Sequence, residues 1–137
     1  MSTQLVKSKT EQLAVYLNDL RAYENISYDE FLSKHHYAVE RLLELLVITA
    51  SDATLHILLM QGEEMPMTLR TTFLRAGELQ IIPEALAQRL AAAAGLRNLI
   101  VHAYAKVDLR IVYDSIRPAL TDFSELTTVL AKQIGII

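Results

Sequence analysis

Cysteine and tryptophan are both missing from this 137-residue chain, and glycine and proline number only four and three. The lack of cysteine excludes disulfides and thiolate metal sites and fits a cytoplasmic protein. No basic-then-apolar leader opens the sequence, and no charge-free apolar run approaches the roughly 18 residues of a membrane span. A soluble protein without a membrane partner is therefore expected. Positive charge is scarce as well: 13 Lys and Arg stand against 16 Asp and Glu, a net charge of −3. That balance argues against a uniformly basic nucleic-acid-binding surface, and no DNA ligand is expected. There is no phosphate-cradling glycine loop, nucleophile elbow or zinc motif. The chain should hold no metal and no cofactor, and should not bind ATP through a motif of its own.

Apolar side chains, by contrast, are abundant, at 52% of residues. A surplus of that size on a chain of one-domain length (residues 1–137) suggests a face buried against a partner. Charge is also unevenly placed. Residues 1–66 carry five Lys and Arg against ten Asp and Glu, a net of −5; residues 67–137 carry eight against six, a net of +2. The positive half includes Lys106, Arg110 and Arg117, which allows a local site for a phosphate-bearing ligand.

Periodicity predicts helices throughout and no sheet. A first helix runs from about Thr3 to Tyr23. Ser27 and Glu30 form a capping box that starts a long second helix, ended near Gly62 by "GEEMP". A short helix covers "TLRTTFLRAGE". Pro83 opens a further helix, "KVD" breaks it, and Asp108 caps the last one, which Pro118 should kink or split. The expected fold is an all-α bundle of four main helices plus a short one.

The penultimate helix contains "AAAAGLRNLIVHAY", Ala91 to Tyr104. At about 100° per residue, Leu86, Leu90, Ala93, Leu96, Ile100 and Ala103 form one stripe, read as the inward face. Asn98 and His102 share the opposite side with the small residues Ala91, Ala94, Gly95 and Ala105. A face of small residues lets another helix approach closely, so a two-fold contact with a second copy is expected there. His102 is then not a core histidine, although an interface histidine without catalysis fits the residues equally well. Arg97 lies about 140° from His102, so periodicity alone establishes no joint site.

Arg97-Asn98-Leu99-Ile100-Val101-His102, with Tyr104 two residues on, resembles the R-x4-6-H signature of HEPN domains. In its R-N-x3-H-x-Y form it is similar to the HepT toxins, and the similarity extends over "GLRNLIVHAYAKVDLRIVYDSI". The resemblance implies a HEPN-type homodimer whose paired motifs line a cleft and act as a metal-independent ribonuclease. It also implies a partner, an MNT-type nucleotidyltransferase antitoxin, which uses ATP to attach AMP to the motif tyrosine. Carried over residue by residue, Arg97 and His102 are catalytic, Asn98 is a supporting motif residue, and Tyr104 is the AMPylation site. Transfer RNA and messenger RNA are both open as substrates. The family also contains purely binding members, so a non-catalytic module that binds and regulates the nucleotidyltransferase is the alternative.

The residue types suit that chemistry. Metal-free RNA cleavage needs a base for the 2′-hydroxyl and an acid for the leaving oxygen, and histidine, with a reference pKa of about 6.5, serves either role. Arginine stays charged, and its planar fork matches phosphate oxygens. Other features read as structural. His35 and His36 are adjacent and point apart, His56 stands alone among apolar residues, and Met60, Met65 and Met67 flank a loop. No stacking pattern emerges among Tyr16, Tyr23, Tyr28, Tyr37 and Tyr113.

Overall fold

Six helices make up the computed structural model, which describes residues 3–102 and 108–135, with side chains for 3–97 and 108–135. Helix α1 spans Thr3–Arg21 and buries Val6, Leu13, Leu17 and Leu20. Helix α2 spans Tyr28–Met60. Its start follows the sequence, since the Ser27 hydroxyl accepts the Glu30 N–H at 3.1 Å. One feature the sequence did not signal is a π-helical turn at Phe31–His35, which places Phe31 in the core. The helix ends as expected: Gly62 takes φ 83°, and the Glu63 and Gly62 N–H groups donate back to the Leu58 and Leu59 carbonyls. Such a left-handed stop suits glycine because it has no Cβ to clash.

By length and composition α2 could cross a membrane. Its apolar residues are spent differently: Val39, Leu43, Leu46, Ala50, Ala53, Ile57 and Leu58 are buried. The other five helices all pack around α2, which explains why its apolar surface is so wide.

Helix α3 spans Leu69–Glu78 and begins with a reciprocal capping box between Thr68 and Thr71. The Arg75 guanidinium pairs with Glu63 at 2.7 Å and Glu78 at 2.9 Å. The hydrogen bonds it donates to these two carboxylates, Glu63 first, raise its pKa above the ordinary arginine value. Helix α4 spans Glu84–His102, one residue later than Pro83 suggested; the Pro83 carbonyl instead accepts the Ala87 N–H at 2.9 Å.

The predicted last helix is two, α5 (Leu109–Asp114) and α6 (Ile116–Gln133). Asp108 caps α5 as read, accepting from the Arg110 and Ile111 N–H groups. The split falls at Ser115 rather than at Pro118 itself. A proline ring clashes with the carbonyl four residues earlier, which here is Asp114, so the ladder breaks there and Pro118 enters the first turn of α6. Four long helices, the ten-residue α3 and the six-residue α5 therefore stand where four and one were expected. Gln133 Nε2 closes the bundle by donating to the Ile81 carbonyl at 3.0 Å.

Candidate functional site

Helix α4 carries the Arg97 motif, and its orientation corrects the sequence reading. Ala91 and Ala94, expected on an outward face, are 2% and 1% exposed within this chain. They continue the buried line of Leu86, Ala87 and Leu90, and α4 packs there against α3 and α2. Ala93 and Leu96, expected in the core, are only half-buried. The reason is that α4 is apolar almost all round, so periodicity could not fix which side faces inward. Ala91 and Ala94 serve close packing inside the chain and offer no surface to a second copy, whereas Gly95 is half-buried with open space where a Cβ would stand. The Ile100 side chain, Ala103 and Ala105 lie outside the described residues.

The side of α4 turned from that packing faces an open groove of about 400 Å³. Arg89, Ala92, Ala93, Leu96 and Arg97 form one wall, and Leu43 and Val47 of α2 belong to the floor. Ile111, Asp114 and Ser115 come from α5 and its end; Pro118, Ala119, Asp122 and Phe123 come from α6. The lining is mainly apolar, with cations and carboxylates at distinct points. Arg89 Nε donates to Asp122 at 2.9 Å and its Nη2 donates to Glu125 at 3.4 Å. Arg97 lies two turns further along α4, about 12 Å by helical rise. Its Nε is buried and, among the described residues, has no hydrogen-bond partner. Buried donors are nearly always satisfied, and an orphan costs about 1–3 kcal/mol. Arg97 therefore keeps one buried N–H donor, its Nε, without a partner among the described residues.

Of the four sequence-predicted site residues, Arg97 alone has a described side chain. Asn98 and His102 belong to the backbone of α4, and their side chains lie outside the described residues. Tyr104 lies outside them altogether.

Sequence reasoning missed an aromatic cluster beside the groove. Tyr28, Phe31 and Tyr113 gather with ring centroids 5.2–6.1 Å apart. The Arg110 Cζ lies 4.7 Å from the Tyr28 ring centroid. Tyr28 and Phe31 are three apart on one helix, which was a usable signal; Tyr113 joins them from 85 residues away, which was not. His36 sits behind Phe31 and its Nδ1 lies 2.8 Å from a Glu40 oxygen. Among the described residues no group of three or more His, Cys, Asp or Glu could hold a metal ion.

The family described as "Ribonuclease HepT-like" matches residues 13–130. The chain is 34% identical over 121 residues to a tRNA nuclease HepT of Aphanizomenon flos-aquae (strain 2012/KM1/D3), covering 87% of this chain and 82% of that one. The fold matches the tri-AMPylated Shewanella oneidensis HEPN toxin solved in complex with its MNT antitoxin, with a TM-score of 0.85 at 22% identity over 93% and 96% of the two chains. It also matches a toxin–antitoxin MntA-HpeT mutant, with a TM-score of 0.83 at 21% identity over 94% and 98%.

Proposed function

Since this chain belongs to the HepT-like ribonuclease family, we propose that it is the endoribonuclease toxin of a HEPN/MNT toxin–antitoxin pair. Arg97 and His102 are its catalytic residues, Asn98 supports them, and two copies meet so that both motifs share one cleft. The chemistry needs no metal. One His102 takes the 2′-hydroxyl proton, the O2′ attacks phosphorus, and the P–O5′ bond breaks. The second His102 protonates the departing O5′, leaving a 2′,3′-cyclic phosphate and a 5′-hydroxyl. Arg97 stabilises the charge that builds on the phosphoryl oxygens. Transfer RNA is the favoured substrate, supported by the name of the relative that is 34% identical.

The observation that carries this reading is the buried Arg97 Nε in the groove wall, which has no partner among the described residues. A donor set aside by the fold, in the first position of an R-x4-H motif, suits a phosphate that arrives with the substrate. The antitoxin partner is an MNT-type nucleotidyltransferase, and ATP is its substrate rather than a cofactor of this chain. It attaches AMP to Tyr104, which adds negative charge and bulk beside the motif and repels RNA.

Purified protein incubated with transfer RNA in EDTA should cut it and leave cyclic-phosphate ends. His102→Ala and Arg97→Ala should abolish both cutting and growth arrest while the oligomeric state stays unchanged. Growth arrest that persists in His102→Ala defeats the nuclease reading and leaves a binding module. With partner and ATP, the intact mass should rise in AMP-sized steps, and Tyr104→Phe should not shift.

A further inference from the structure

Arg110 is the second residue of α5, and its guanidinium is held on three sides. Its Cζ lies 4.7 Å from the Tyr28 ring centroid and 5.5 Å from that of Tyr113. Its Nε donates to Asp114 at 3.3 Å. The two rings fix each other edge to face at 5.2 Å. The Tyr113 hydroxyl donates to the Ile26 carbonyl at 2.7 Å, pinning the platform to the turn before α2. A long side chain normally loses rotamer freedom when it binds a ligand; here that ordering is already built into the fold. The side chain nonetheless stays 59% exposed, and Asp114 is its one carboxylate partner among the described residues. Its Nη groups make no hydrogen bond within the described residues. Its partner Asp114 lines the groove that carries Arg97, which links Arg110 to that groove through one ion pair.

Resting on the ribonuclease reading above, we propose that Arg110 on its Tyr28–Tyr113 platform is a phosphate-binding subsite for the RNA strand, away from the scissile bond. Its role is positioning. The outward N–H groups fit the oxygens of a backbone phosphate, and no bond of the RNA forms or breaks there.

A 2′-O-methyl RNA oligonucleotide, which cannot be cut by the 2′-hydroxyl route, reads the subsite without cleavage when titrated over a salt series. Arg110→Gln should bind about tenfold more weakly at low salt, with a log-affinity against log-salt slope shallower by about 0.7, the share of one phosphate contact on a single strand. Arg110→Lys should keep the wild-type slope, because the charge remains. In cleavage of the unmodified strand, Arg110→Gln should raise KM and leave kcat within about twofold. Equal affinity and slope for wild type and Arg110→Gln overturn the proposal, as does a Lys variant with the Gln slope. Displacement of the oligonucleotide by ATP at equal phosphate concentration also overturns it, in favour of a mononucleotide site. A wild-type chain that binds with the expected slope but cuts no RNA defeats the nuclease reading and leaves the subsite standing. A wild-type chain that does not bind the oligonucleotide overturns the subsite.

Discussion

Gly77 and Ala87 bring helices α3 and α4 into backbone-level contact: a Cβ on Gly77 would lie 2.5 Å from the Ala87 Cβ. Ala87 has no flexible end that could swing aside, so one helix must move. Gly77→Ala gains about 1 kcal/mol of helix propensity and meets an overpacking cost of about 1–3 kcal/mol. The clash should win, lowering stability by about 1–2 kcal/mol in urea unfolding. Ala87→Gly in the same chain should restore most of that loss, and a double variant as unstable as the sum of the singles contradicts the contact.

Gln80 takes φ 58°, in the left-handed region, where it ends α3. Its N–H and that of Ile81 close the turn onto the Gly77 and Ala76 carbonyls. A side chain there costs about 1–2 kcal/mol, and the exposed Gln80 side chain makes no hydrogen bond among the described residues in return. Gln80→Gly should therefore raise stability by about 0.5–1 kcal/mol after the extra entropy of glycine is counted. Thermal melting checks this; a lower midpoint than wild type refutes it.

Asp122 is the more buried partner of the Arg89 pair, which ties α4 to α6 across the groove. Arg89 itself is nearly half exposed, so the pair is screened and modest. Asp122→Ala should cost about 1 kcal/mol, and the difference from wild type should shrink as salt rises. A salt-independent loss would mean that packing, not charge, holds the two helices there.

Arg97 should separate stability from activity. Replacing it with Met keeps an apolar stem of similar reach and removes a buried donor that has no partner among the described residues. The variant should melt at or above the wild-type temperature, by up to about 1 kcal/mol in stability, while RNA cleavage falls at least about a hundredfold. A clear loss of stability would show that Arg97 serves the fold rather than a ligand.

The sequence by itself determined the helical class, the element order, the caps at Ser27 and Asp108 and the glycine stop at Gly62. These depend on neighbours within a few residues, and local backbone chemistry decides them. The Arg97–His102 motif was legible for the same reason: it is a short string. Tertiary structure decided which side of α4 is inside, because Leu86, Ala91, Ala93 and Leu96 are all apolar and give no direction to bury. It also decided that the helix predicted after Asp108 breaks at Ser115, where the Pro118 ring meets the carbonyl four residues back. The gathering of Tyr28, Tyr113 and Arg110 belongs to tertiary structure as well. Those residues meet only because α5 folds back onto the start of α2, and no spacing along the chain encodes a contact made across 85 residues.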